Sequence, residues 1–432
     1  MDNTVDAVFG PPLDARGLRI GDNASSSMPV VRDTNQYALA QILLYRLSGR
    51  AASQRCTTTN ASEADLFFVP VLARPKAFTQ EFARACAAVN ASVLVAHLPH
   101  LNSRTACRHF FVVSKGHYNA KACDFFARPR GLLASALRVS YSYALGARED
   151  DEFGTRLNDE NPRYLRLLRR GSEREYPQLF SVPYPSSVHW AAATPDPTNT
   201  SGTATAWRGS WPSRDKSYRE VDGAAAAHAP IAPRPTLMLF LGSAAHGDMP
   251  VRSRILEQCR RYNDTRVCNH CCATTRETTP AALTRLLGLK AAATFCLEPG
   301  GDSPFRKSLS DSIAFGCVPV LFSNLTDAVA PWFWGAWRDE ARVLVPRAPF
   351  VAGEIDLRSW LSSIPHGHVR VMQHTIARHK HRFQYSVDDD PGDGVGVLLR
   401  GLGTAARASC THHQQGGVVE GGEHASTAGA DI

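Results

Sequence analysis

Phe295-Cys296-Leu297-Glu298-Pro299-Gly300-Gly301-Asp302-Ser303-Pro304-Phe305-Arg306-Lys307-Ser308, running on through Asp311 to Gly316-Cys317-Val318-Pro319-Val320, reads as a strand, a glycine-rich turn, a helix opening and a second strand. Gly300 and Gly301 let a ligand come close to the backbone. A helix opening near Pro304 aims free N–H groups and a partial positive charge at an anion. Arg306 and Lys307 add formal charge on its first turn. Asp311, about one turn further on, can accept hydrogen bonds from a ribose hydroxyl. Together these residues describe a pocket for a nucleoside diphosphate. They also fit a plain Gly-Asp-Ser helix cap carrying a solvated Arg-Lys pair.

Outward from this stretch, the pattern of short apolar runs and helical periods repeats. On the C-terminal side of the chain it predicts strands at 236–242, 293–297 and 318–322, with helices at 251–261, 280–288 and 305–315. On the N-terminal side it predicts a helix over 37–47, a buried strand at 64–71 closed by Pro70, a helix over 77–88, and strands at 92–96, 109–113 and 179–182. Short apolar strands separated by helices indicate mostly parallel sheets covered on both faces. The expected fold is therefore α/β, with two facing Rossmann-like domains and ligands off the carboxyl ends of the strands, in the cleft between them. The expected divisions are a loose lead-in over 1–29, an N-terminal domain over 30–190, a linker or surface insertion over 191–233, a C-terminal domain over 234–386, and a disordered tail over 387–432.

Composition narrows the function. Hydrophobic residues at 44% and charged residues at 20% describe a globular chain. The formal charge of +8 is carried almost wholly by Arg, whose planar fork suits phosphate or carboxylate. There is no basic run with interleaved aromatics and no nucleic-acid fold motif, so nucleic acid is not an expected partner. No stretch reaches the length of apolar sequence that spans a membrane. Six Asn-x-Ser/Thr sequons, at Asn23, Asn60, Asn90, Asn199, Asn263 and Asn324, exceed the roughly two that chance supplies. Eleven Cys point the same way, to an oxidising compartment. Met1-Asp2-Asn3-Thr4 carries no secretory signal, so a leader or anchor missing from this chain is expected.

The Phe295–Val320 segment resembles the signature of the exostosin-like glycosyltransferases (family 47), most closely the plant xyloglucan galactosyltransferase branch. The similarity continues through Asp65-Leu66-Phe67-Phe68-Val69-Pro70, His109-Phe110-Phe111-Val112, Val182-Pro183-Tyr184-Pro185 with His189, Gly242, Arg252 through Gln258-Cys259, and Trp360 through Pro365. It covers roughly 35–385. The resemblance implies a GT-B architecture and an inverting transfer from a nucleotide diphosphate sugar, UDP-linked, to a glycan or cell-wall polysaccharide. It further implies no metal, no other cofactor, residence in the Golgi, and other glycosyltransferases as partners. By the match, Arg252, Arg306 and Lys307 contact the diphosphate, Ser303 donates to phosphate, Asp311 holds the ribose, and Gly242, Gly300 and Gly301 shape the turn.

Inversion needs a group that takes the acceptor hydroxyl's proton. The loop after strand 109–113 makes His117 the first candidate, and His189 is the second, although either also fits a structural histidine. Relatives tend to carry an acidic residue near Asn119 and Arg-Asp where this chain has Cys107-Arg108. That departure motivates an alternative, a catalytically inactive homologue serving as a glycan-binding or partner subunit. Cys268 and Cys271 form a C-x-x-C without the second ligand pair a structural zinc site needs. Relatives have Cys in this region, which implies a disulfide from Cys259 to Cys268, Cys271 or Cys272. Cys296 and Cys317 are read as plain core residues. Trp332, Phe333, Trp334 and Trp337 suit either core packing or a sugar platform.

Overall fold

The computed structural model describes residues 4–16, 18, 27–48, 57–70, 91–116, 130–141, 178–192, 234–244, 248–271, 279–301, 305–323, 326 and 330–415. The expected helix 77–88, His117, Asn119, Ser303 and nearly all of the 191–233 segment lie outside them. The strands are β1 (Ser27–Val31), β2 (Phe67–Val69), β3 (His109–Gly116), β4 (Leu137–Tyr141), β5 (Leu179–Val182), β6 (Val188–Ala192), β7 (Thr236–Leu241), β8 (Cys268–Cys271), β9 (Ala293–Glu298), β10 (Val318–Leu321) and β11 (Val343–Leu344).

They form two parallel sheets and one ribbon. The N-terminal sheet runs β2-β3-β4-β5 and the C-terminal sheet β11-β10-β9-β7-β8, while β1 pairs antiparallel with β6. This is the α/β, doubly sheeted layout expected for GT-B. The central strand β9 alternates Phe295 and Leu297 toward one core with Cys296 toward another, and both faces are buried. That explains why its sequence is an unbroken apolar run. A single apolar cluster joins the sheets, since Val139 and Val182 of one and Phe240, Phe295 and Val320 of the other belong to it.

Several expectations are corrected. Residues 92–96 are not a strand: Ala91–Ala96 is a short helix with Leu94 buried and Ser92 exposed. A short apolar run fits either form, and here local backbone bonds such as His97 N–H to the Leu94 carbonyl decide it. The lead-in is not loose throughout, because Val5–Phe9 is a helix that buries Phe9 against Tyr45 and His189. Nor is the tail disordered from 387, for Gly394–Gln415 is a helix burying Val395, Leu398, Leu402 and Ala406. Its anchor is a buried ion cluster in which Arg46 donates to Asp393 (2.7 Å), Asp389 (3.0 Å) and the Ser386 carbonyl (2.9 Å). Cys107 and Cys410 add a disulfide from that helix back to the N-terminal sheet. Cys296 and Cys317 are disulfide-bonded rather than plain core, and Cys259 pairs with Cys268.

Candidate nucleotide-sugar site

In the C-terminal sheet, successive strands build outward in opposite directions from β7 and β9, so the strand order reverses between them. Neighbouring loops part at such a point, and the crevice off the carboxyl ends receives a ligand. The two loops concerned are Gly242-Ser243 after β7 and Pro299–Gly301 after β9. Arg252 bridges them. From the first turn of helix Met249–Tyr262 its Nε donates to the Gly300 carbonyl (2.8 Å) and its Nη1 to the Ser243 carbonyl (2.8 Å), with the guanidinium 5.8 Å from the Phe240 ring centre. Gly242 lies close beneath it: a Cβ there would stand 3.1 Å from Arg252 Nη1 and 3.2 Å from the Phe240 ring, so one of them would have to give by a few tenths of an ångström. Gly301 does the same for Arg306, whose guanidinium lies where a Cβ would be.

Two helices start at this edge. Asp248 caps Met249–Tyr262 in position only, since its carboxylate is held by Arg347 through bonds of 2.8 and 3.1 Å in a buried pair. Helix Lys307–Ala314 starts after Arg306 and is fixed from below by Lys290 and Glu298. Lys290 Nζ donates to Glu298 (3.1 Å), Ser308 Oγ (2.9 Å) and Ser312 Oγ (2.6 Å), and both serines donate to the same Glu298 oxygen. The strand end, the turn and the helix are thus one buried unit. Neither Lys290 nor Arg347 was legible as part of the site. Glu298 stood inside the motif but read only as the end of a strand.

Asp311 and Lys307 face the other sheet. Asp311 Oδ1 accepts from Ser186 Oγ (2.6 Å) and Ser187 N–H (2.7 Å), and Lys307 Nζ donates to Asp311 Oδ2 (2.9 Å) and Ser187 Oγ (2.6 Å). Ser310 Oγ donates to the Tyr184 carbonyl (2.8 Å). The Pro183–Ser187 loop leaves the carboxyl end of β5, so the carboxyl edges of the two parallel sheets approach each other here. Both oxygens that the sequence assigned to a ribose are taken by this seam. The signal for it lay in Ser186-Ser187, directly after the Pro-Tyr-Pro turn.

His189 has a setting unlike that of a proton acceptor. It is fully buried in β6, with Nδ1 against the Tyr385 carbonyl (2.6 Å) and Nε2 against Thr34 Oγ1 (2.6 Å). A carbonyl only accepts, so Nδ1 carries the proton. Thr34 then has one hydroxyl proton for two acceptors, His189 Nε2 and the Phe9 carbonyl (2.6 Å). Burial holds the imidazole pKa down at about 3, with help from the Lys307 and Arg32 charges and against the Asp311 charge. The ring is a strut between β6 and the 385 segment. His117 follows β3 in sequence and lies outside the described residues.

The aromatic cluster packs rather than presents. Phe333, Trp334 and Trp337 are buried, and Trp332 stacks on Phe180 of β5 at 4.6 Å. Cys268, bonded to Cys259, is removed from any zinc set. Among the described residues no group of three or more His, Cys, Asp or Glu is placed to share an ion.

Residues 14–327 match the Exostosin GT47 domain. A probable xyloglucan galactosyltransferase of Arabidopsis thaliana is 25% identical over 305 residues, 68% of this chain and 43% of its own length. A xyloglucan-specific galacturonosyltransferase of the same plant is 24% identical over 320 residues, 72% of this chain and 39% of its own. The chain therefore spans less than half the length of either relative. Among solved structures, the calicheamicin glycosyltransferase CalG4 is matched over 82% of this chain and 84% of that one, at 13% identity and a TM-score of 0.26.

Proposed function

The chain belongs to the exostosin GT47 family, and on that premise we propose that it is a glycosyltransferase that binds a nucleotide diphosphate sugar, UDP-linked, off the carboxyl ends of β7 and β9. The acceptor is a glycan of the xyloglucan type, consistent with the named activities of its relatives. Transfer proceeds with inversion and relies on fixed protein charges and helix N–H groups to stabilise the leaving diphosphate. The observation that carries this reading is the bridged switch point. Arg252 holds the two loops open at a set distance, Arg306 lies against Gly301, and two helices begin at the same edge.

In this scheme Arg306, the Gly300-Gly301 turn and Ser303 meet the phosphates, while Arg252 shapes the cradle from behind. Lys307 reaches the diphosphate only by giving up Ser187 or Asp311, and Asp311 reaches the ribose only by loosening the seam. Donor binding and the contact between the sheets are then linked. His117 takes the acceptor proton, supported by the end of β3 at Gly116, on the carboxyl side of the N-terminal sheet. The three disulfides among the described residues fit a lumenal residence, the Golgi by family, with other glycosyltransferases as partners there.

Calorimetric titration with UDP tests the reading. Saturable binding is expected; folded protein that binds no nucleoside diphosphate would overturn it. Gly301→Ala sharpens the test, because the new methyl must displace the Arg306 guanidinium, a flexible side-chain end, while leaving the backbone in place. Affinity should fall about tenfold, roughly 1.4 kcal/mol, with an unchanged melting curve. UDP binding without transfer to any member of a glycan array would favour the inactive-subunit alternative.

A further inference from the structure

Two of the six sequons lie wholly within the described residues, Asn60-Ala61-Ser62 and Asn263-Asp264-Thr265. In both, the asparagine and the hydroxyl residue are exposed. Asn60 Oδ1 accepts from Ser62 N–H (3.1 Å) and Ser62 Oγ (2.7 Å), an Asx turn closed within two residues. Such a turn depends on no tertiary contact and so is open to the chain before it folds. Asn60 Nδ2 donates to Glu63 (2.8 Å). A glycosylated amide keeps one N–H, so Asn60 retains a donor beside Glu63. Asn263 ends helix Met249–Tyr262 in the left-handed region, at φ 48°, with its side chain at the surface of a tight turn.

Both positions fall on the same side of their sheets. The Ala64 carbonyl, four residues after Asn60, accepts from Arg108, the residue before β3 (2.9 Å). The Asp264 carbonyl, next to Asn263, accepts from the N–H of Cys268, where β8 starts (2.9 Å). Each sequon is thus at the amino edge of a parallel sheet, and the candidate donor site is at the carboxyl edge of one. Along the helix, Asn263 stands about 16 Å beyond Arg252. The disulfide Cys259–Cys268 brackets the same turn, a bond of the kind that persists in an oxidising compartment.

We propose that Asn60 and Asn263 carry N-linked glycans, which cover the amino-edge rim of both sheets and leave the donor edge bare. This rests on the lumenal part of the proposed function. The co-reactant is a lipid-linked oligosaccharide diphosphate. The asparagine Nδ2 bonds to the anomeric carbon, the carbon–oxygen bond to the diphosphate breaks, the lipid diphosphate leaves, and the displaced amide proton passes to a base of the transferring enzyme.

The experiment takes the full chain isolated from the cells that make it, cleaves glycans with an amidase in heavy-oxygen water, and maps labelled aspartate by mass spectrometry. Label at positions 60 and 263 is expected. Thr265→Ala should abolish label at 263 while keeping the asparagine that the left-handed turn favours, and Ser62→Ala should do so at 60. UDP affinity should not change on deglycosylation. Label at other sequons with none at 60 and 263 would overturn the proposal and leave the lumenal reading standing. Unlabelled sequons throughout, with Cys259 and Cys268 found as free thiols, would overturn both.

Discussion

Acidification from pH 6.5 to about 3 will cost the folded protein on the order of 4–5 kcal/mol through the His189 imidazole alone. The folded pKa lies below the unfolded one, so the unfolded chain binds this proton first. The contribution is complete above about pH 6.5 and drains away as the pH falls toward 3. Desolvation sets the direction, because the ring lies fully buried between β6, Thr34 and Tyr385, with the Lys307 and Arg32 charges opposing a third positive charge. Denaturant midpoints at half-unit steps from about pH 7.5 to about pH 4 should fall steeply. In His189→Gln the same series should start lower and run flatter. An unchanged slope in the variant would show that some other group governs acid unfolding.

Asp311→Ala should destabilise the protein by about 3–5 kcal/mol, the cost of removing one partner from a buried charged network. The Lys307 ammonium, the Ser186 hydroxyl and the Ser187 N–H would lose a shared acceptor at a position 6% exposed. Asp311→Asn should cost less, since an amide oxygen still accepts from Ser186 and Ser187. Urea unfolding of the three proteins gives the comparison. The same proteins separate the seam role from ribose binding. If the seam dominates, stability falls far more than UDP affinity in Asp311→Asn; a large affinity loss at unchanged stability would return Asp311 to the ribose.

The C-terminal sheet was legible because its strands are buried on both faces, and so β7, β9 and β10 stand out as apolar runs with Gly or Pro beside them. The switch-point turn was legible from its glycines, beside which the Arg252 and Arg306 guanidinium groups lie. What escaped reading was either distant in sequence or composed against type. Ser186 and Ser187 meet Asp311 across more than a hundred residues. The segment from 387 looked like a polar tail, yet Asp389 and Asp393 neutralise Arg46, and Gly394 and Gly396 stand where a Cβ would strike the Gln384 and Pro391 carbonyls. Its helical period was present all along in Val395, Leu398, Leu402 and Ala406. The Asp and Gly residues ahead of it hid the signal.

The Cys107–Cys410 bond joins residues 303 apart, so most of the polypeptide is a covalent ring, with 106 residues before it and 22 after it. Residues 191–233, the seam and the entire C-terminal sheet lie within the ring. A single protease cut anywhere inside it opens the ring without releasing a fragment, and the nicked molecule keeps both sheets tethered. A single cut parts them only when the disulfide is also reduced. A single nick within the ring therefore leaves the two halves covalently joined.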